Sequence, residues 1–284
     1  MHQATRFSGF DVLATLGTGA RSTIYAVRDN DHHLYALKHV VRERSEDQRF
    51  ILQAITEHEI ASRFDHPALR KSFHLRRIRK IFRVTEVIVL MELVDGHCLE
   101  DHPPDSILEG CMLCRQVAEG LAHMHRAGYV HADIKPNNVL VTDRETVKII
   151  DLGQSCPIGT VKKRVQGTPD YIAPEQVLRR SITPRTDVFN LGATMYWLFT
   201  RRHVPTLIPR GEPGTGVRED DCPPPAQVNP RVPPALSALV NECIATEPDR
   251  RPATMKVVAE RLDLAIAQLR RAASAAQNAM APTK

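Results

Sequence analysis

His131-Ala132-Asp133-Ile134-Lys135-Pro136-Asn137-Asn138 is a polar loop that leads into two short apolar runs, residues 139–141 and 147–150, followed by Asp151-Leu152-Gly153. The two runs read as a strand pair that presents Asp151 at its end. Asp133, Lys135 two residues on, Asn138 five on and Asp151 would then supply one base, one phosphate-facing cation and two hard oxygen ligands of the kind Mg²⁺ takes. A second dense motif, Gly167-Thr168-Pro169-Asp170-Tyr171-Ile172-Ala173-Pro174-Glu175, comes soon after.

Upstream, Gly17-Thr18-Gly19-Ala20-Arg21-Ser22 lies between two strand-like segments. A glycine pair lets backbone N–H groups approach phosphates closely, although turns with two glycines are common. A dinucleotide-binding loop would need a helix straight afterwards; Thr23-Ile24-Tyr25-Ala26-Val27 is a strand candidate instead, so that reading fails. Lys38 follows in the apolar run Tyr35-Ala36-Leu37, where an unpaired ammonium would be costly to bury. It needs an anion, and a bound phosphate, Glu57 and Glu59 are the candidates.

Composition sets the outer limits. The chain has 284 residues, 42% hydrophobic and 25% charged, with a formal net charge of +5. That excludes collagen-like, disordered and disulfide-scaffold classes, and the charge is too small to argue for a nucleic-acid binder. The longest apolar stretches, residues 84–91 and 188–199, fall short of the roughly 18 residues a membrane span needs. No basic-then-apolar leader opens the chain, so the expected location is the cytoplasm. The six cysteines are irregularly spaced and are expected to be reduced; Cys111 and Cys114 could share a helix face, but no second ligand pair accompanies them.

Along the chain, residues 10–16, 23–28 and 33–40 read as an antiparallel meander, a helix runs from about 47 to 64, and strand-like segments at 72–75 and 84–92 complete a sheet of about five strands. From Ile107 the pattern becomes helical, with apolar residues at 3.6-residue spacing through Met124 and a stop at Gly128. Further helices are expected at 185–200, 234–245 and from 254 to about 273, ahead of an Ala-rich tail. The stretch 203–234 holds nine of the 20 prolines and reads as an extended surface connection.

In order along the chain, the glycine turn, the strand lysine, His131–Asn138, Asp151-Leu152-Gly153, Gly167–Glu175, Asp187 and Arg251-Pro252 resemble the blocks of the eukaryotic-type (Hanks-type) protein kinase family. The wording of Asp133–Asn138 and Gly167–Glu175 is similar to the Ser/Thr branch, and Ala173-Pro174-Glu175-Gln176 to bacterial members. The resemblance implies an α+β, bilobal protein kinase fold over residues 10–265: a small β-rich N-lobe to about residue 92, a larger helical C-lobe, and an ATP cleft between them. Residues 266–284 would form a helix end and tail.

It also implies roles. Leu16, Gly17, Thr18, Gly19, Ala20, Arg21, Ser22, Thr23 and Ile24 would cover the nucleotide phosphates, and Lys38 would hold the α- and β-phosphates. Glu57, ten residues before Pro67 of the Asp65-His66-Pro67 turn, is favoured over Glu59 as its partner. Ile24, Ala36 and Leu140 would sandwich adenine, Met91 would guard the back pocket, and Glu92 and Val94 would supply hinge hydrogen bonds. Asp133 would take the substrate hydroxyl proton, Lys135 would steady the γ-phosphate, and Asn138 and Asp151 would bind Mg²⁺, with Mn²⁺ an alternative. Thr168 would contact Asp133 and Lys135, Glu175 would pair with Arg251, and Asp187 would accept backbone hydrogen bonds from the catalytic loop.

Three positions depart from the family pattern. Ser22 replaces the third glycine, Leu152 a phenylalanine, and Ala132 the arginine before the catalytic aspartate; none removes a catalytic group. The expected activity is ATP-dependent transfer of phosphate to Ser/Thr hydroxyls of protein substrates, against a pseudokinase that binds nucleotide or acts as a scaffold. His123 and His125 read as surface or packing residues, and Lys162, Lys163 and Arg164 as too far along the chain to replace the missing arginine. Residues 70–83 carry seven Lys or Arg and no acid, either a solvated face or a docking patch for an acidic partner.

Overall fold

The computed structural model describes residues 6–205 and 222–280, and the chain divides into two compact units. The first runs through Gly96 and includes Ile150–Ser155; the second comprises His97–Ile149 and the chain from Cys156 onward. The class is α+β, as expected.

In the first unit the strands are β1 (Arg6–Phe7), β2 (Phe10–Thr18), β3 (Ser22–Arg28), β4 (Leu34–Val41), β5 (Ser72–Lys80) and β6 (Arg83–Glu92), with helix α1 (Gln48–Ala61) between β4 and β5. They form one antiparallel sheet in the order β1-β2-β3-β4-β6-β5. One more strand is present than the sequence suggests, and β5 runs five residues past Leu75. That extension had no apolar alternation to signal it, because β5 is an edge strand whose Arg76, Arg77, Arg79 and Lys80 face water. Helix α1 packs Ile51 and Ala54 against Val40, Val87, Val89 and Met91. Its buried positions, Ile51, Ala54, Glu57, Ile60 and Ala61, recur at three- and four-residue steps, which puts Glu57 on the packed face.

The second unit contains β7 (His97–Cys98), α2 (Ile107–Arg126), β8 (Tyr129–Val130), β9 (Val139–Val141), β10 (Val147–Ile149), β11 (Cys156–Pro157), α3 (Pro174–Val177), α4 (Pro184–Thr200), α5 (Pro225–Val228), α6 (Pro234–Cys243) and α7 (Met255–Met280). Helix α2 starts where the Ser106 hydroxyl accepts the Glu109 N–H at 3.1 Å and the Glu109 carboxylate accepts the Asp105 N–H at 2.9 Å. It stops at Gly128, whose φ of +85° an L-residue rarely adopts. Helix α4 is buried on nearly every side, and α6 approaches it so closely that a Cβ on Gly192 would lie 2.5 Å from the Cys243 Cβ.

Short sheets β10-β9-β7 and β11-β8 frame the loop between β8 and β9. Of the proline-rich stretch 203–234, residues 206–221 lie outside the described residues. Its far end is not wholly extended: Pro225 and Pro234 each open a helix, a position where the missing N–H costs nothing. The end of the tail, 281–284, is likewise outside the described residues. All six cysteines are free thiols. Burial in α2 pushes the Cys111 thiol up to about 12 and Cys114 higher still, so neither is a thiolate near neutral pH.

Candidate active site

In the first unit, β4 places Lys38 under α1, and its Nζ donates to Glu57 Oε2 at 2.5 Å. Burial disfavours the Lys38 ammonium, but the charges of Glu57 and Asp151 and the Glu57 hydrogen bond outweigh it and hold its pKa above the ordinary lysine value, with Arg70 opposing. The other oxygen of Glu57 accepts from Arg70 Nη2 at 3.1 Å. Glu59, two residues round the helix, is exposed and pairs with Arg77. Arg70 therefore does not belong to the solvated basic face in which its sequence neighbours place it. The only signal for it was indirect: a buried carboxylate has more acceptor sites than one lysine can fill.

Gly17 and Ile24 are register partners at the end of the β2–β3 hairpin, and the Gly19 N–H donates to the Ser22 carbonyl at 2.7 Å to close the turn. The Arg21 guanidinium in this turn is held by Asp47 at 3.0 Å and Glu43 at 2.6 Å. Ala36 lies opposite Met91 across β4 and β6, both buried, and Ile24 packs against the same cluster. The backbone of Glu92 donates to Lys71 O at 3.0 Å and its carboxylate accepts the Lys71 N–H at the same distance. Val94 is half-buried just beyond β6, while Leu16, on β2, is exposed. Asp151 adopts a left-handed conformation, φ 60° and ψ 66°.

In the second unit the loop between β8 and β9 is pinned from below. The Asp187 carboxylate, fully buried at the start of α4, accepts the N–H of Ala132 at 2.7 Å and of His131 at 2.9 Å, and is met by His125 Nε2 at 2.8 Å. His125 is thus a partner of the loop's anchor and more than a packing residue. Burial alone would raise the Asp187 pKa, but the hydrogen bond from His125, the charges of His125 and His131 and the Ala132 N–H together hold it below the usual aspartate value.

On this base, Asp133 Oδ1 accepts the Thr168 backbone N–H at 3.1 Å and its hydroxyl at 3.0 Å. Lys135 Nζ donates to Thr168 Oγ1 at 2.8 Å and stands 3.7 Å from Asp133 Oδ2. Asn138 Nδ2 donates to the Asp133 carbonyl at 2.8 Å, which fixes the amide and turns its oxygen to the other side. Leu140 lies on β9, opposite Lys148 and Cys98. Glu175 and Arg251 form a buried bidentate pair at 2.8 and 3.0 Å, the geometry that makes Arg–carboxylate bonds strong.

Two further residues matter. Buried Gln176 donates to the carbonyls of Ala132 (2.8 Å) and Gln166 (3.2 Å) and accepts the Ala173 N–H (3.0 Å), joining the loop between β8 and β9 to the segment before α3. Lys162, read from sequence as too distant, feels the charges of Asp133 and Asp187; burial is nevertheless the largest influence and lowers its pKa. Contiguity along the chain was a poor guide to where this segment folds back.

The protein kinase domain family matches residues 10–262. The chain is 29% identical over 266 residues to the serine/threonine-protein kinase PknB of Mycobacterium leprae, covering 88% of this chain and 41% of that protein. It is 27% identical over 262 residues to the serine/threonine-protein kinase PrkC of Bacillus subtilis, covering 87% and 39%. Against the serine/threonine-protein kinase PknL of Mycobacterium tuberculosis it is 29% identical over 262 residues, covering 86% and 62%. The chain thus spans about two fifths of the length of the first two relatives.

Proposed function

Because this chain belongs to the protein kinase domain family, we propose that it transfers the γ-phosphate of ATP to Ser or Thr hydroxyls of protein substrates. The kinase domain is taken as residues 10–265. The observation that carries the reading is the Asp133–Thr168–Lys135 network, which holds a carboxylate and an ammonium side by side on a loop anchored by Asp187.

In this reading Asp133 orients the acceptor hydroxyl and takes its proton as the oxygen bonds to the γ-phosphorus, while the bond from that phosphorus to the bridging β,γ-oxygen breaks and ADP leaves. Lys135 offsets charge on the transferring group, and Lys38, aligned by Glu57, holds the α- and β-phosphates. The hairpin from Leu16 to Ile24 covers the phosphates through its backbone. Ile24, Ala36 and Leu140 take the adenine, with Met91 behind it and Glu92 and Val94 bonding its edge. Asn138 and Asp151 suit Mg²⁺, since both offer hard oxygens and the Asn138 amide is already oriented by its bond to Asp133. The metal, when bound, neutralises phosphate charge; Mn²⁺ meets the same donor set.

All three named relatives and the Thr168 contact support Ser/Thr acceptors. The test is transfer of radiolabelled phosphate from ATP with Mg²⁺ to generic basic protein substrates. Wild-type protein should label them, and Asp133→Asn should lower the rate by about 10²- to 10⁴-fold with an unchanged melting temperature. Near wild-type turnover in that variant would remove Asp133 from the role of base.

A further inference from the structure

The β5–β6 hairpin ends in two side chains that the first unit does not use. Lys80 pairs with Arg83 across the strands, so Ile81 and Phe82 form the whole turn, and they are 91% and 94% exposed. A two-residue hairpin turn ordinarily takes Asn or Gly where φ is positive. Here Ile81 holds φ 58°, a conformation costly for a β-branched residue. Neither the sheet nor the turn geometry calls for an apolar pair at this position.

The surroundings are cationic. No acid occurs between Arg70 and Arg83. Arg77 is paired with Glu59, and the nearest acid on β6, Glu86, is engaged by His39. Arg79, Lys80 and Arg83, the three cations flanking the tip, have no ion-pair partner among the described residues. Edge-strand charge against self-pairing accounts for Arg76 and Arg77, but not for Ile81 and Phe82 beyond the strand ends.

We propose that this tip docks on an anionic phospholipid surface, with Ile81 and Phe82 entering the headgroup boundary and Arg79, Lys80 and Arg83 meeting lipid phosphates and carboxylates. A protruding, convex apolar tip suits a soft surface that can open around it, whereas a protein partner would need a pocket already shaped to receive it. Cations beside it keep their heads in the headgroup layer while their stems lie along the apolar pair. Near an anionic leaflet each such cation adds about fivefold to binding, so three add on the order of a hundredfold. Burying the two apolar side chains adds roughly tenfold or more again.

The experiment is co-sedimentation of the full chain with vesicles of phosphatidylcholine alone and of phosphatidylcholine with phosphatidylserine. Wild-type protein should bind the phosphatidylserine vesicles, ignore the neutral ones and release in high salt. The double variant Ile81→Asn, Phe82→Ser should lose about tenfold or more in binding. Its melting temperature should not fall, because asparagine tolerates the φ of position 81. The triple variant Arg79→Gln, Lys80→Gln, Arg83→Gln, which leaves the turn intact, should lose on the order of a hundredfold. The proposal fails if wild-type protein ignores the phosphatidylserine vesicles, or if the double variant binds them as well as wild type does. Binding to soluble polyglutamate with no vesicle binding would assign the patch to an acidic protein and overturn it. So would a dimer, seen by sedimentation equilibrium, that the double variant abolishes.

Discussion

Glu57 is shared by two cations, and the sharing has consequences. The carboxylate is 3% exposed, with Lys38 on one oxygen and Arg70 on the other. A buried charge stripped of a partner is destabilising, but here either cation remains when the other is removed. Lys38→Met should therefore leave a folded protein in which Glu57 still bonds Arg70. Arg70 has the less obvious part: it holds Glu57 Oε1 and, by its charge, opposes the Glu57 and Asp151 fields at Lys38. We read it as a positioning residue. Arg70→Met should cost about 1.5–3 kcal/mol in stability, the range for a hydrogen bond to a charged group. It should also weaken ATP binding through a mobile Glu57, with Arg70→Lys recovering part of both. A double-mutant cycle of Arg70→Met with Glu57→Gln, read in stability and in KM for ATP, measures the coupling. Additive effects in both readouts would show that Arg70 does not act through Glu57.

The segment between β11 and α3 is tied down by hydrogen bonds to its own far end and to the loop between β8 and β9. Gly159 donates to the Ile182 carbonyl at 2.8 Å, Ile182 to that of Thr160 at 2.9 Å, and Gln176 ties the Gln166 carbonyl to the catalytic loop. In kinases with arginine before the catalytic aspartate, a phosphate on this segment neutralises and orders that cation. Here the position is Ala132, buried in an apolar cluster with Val130, Cys156 and Ile182, with φ 63°. There is no charge at 132 to satisfy, and beside Lys135, 3.7 Å from Asp133 Oδ2, a second cation in the field of Asp133 is Lys162, from within the segment itself. Ser155 is buried, and the Thr160 hydroxyl already donates to the Pro157 carbonyl at 2.6 Å. Activity should accordingly be independent of segment phosphorylation. Phosphatase-treated enzyme, shown to be phosphate-free by mass spectrometry, and a Ser155→Ala, Thr160→Ala variant should both keep initial rates close to those of untreated protein. A drop beyond about tenfold, some 1.4 kcal/mol in the barrier, would mean that phosphate switches the segment after all.

What could be read from the chain alone was whatever its neighbours encode. Helix α1 is a case in point: the spacing Ile51, Ala54, Glu57 places one glutamate on the apolar face, so periodicity alone could have chosen it over Glu59. His125, Gln176 and Arg70 left no such mark, because their partners lie 62, 44 and 13 residues away and nothing local specifies a remote acceptor. The most consequential of these remote contacts joins α2, the catalytic loop and α4 at Asp187, so the stability of the second unit should depend on that one ionisation. A carboxylate whose folded pKa lies below its unfolded value stabilises the fold at every pH above the unfolded value, and that contribution is lost as pH falls through the folded one. Asp187 is such a group, held down by His125, His131 and the Ala132 N–H, with Lys162 also in its field. Asp187→Asn keeps the shape but not the charge, and one of the three donors it faces would meet an amide N–H. At neutral pH the variant should be less stable by about 1–3 kcal/mol in urea denaturation. The gap should narrow as pH is lowered beneath the ordinary aspartate range, since wild type then protonates to a similar neutral group while the variant has nothing to titrate there. A gap that stays constant from neutral to acid pH would show that the Asp187 charge contributes nothing and that its shape alone anchors the loop.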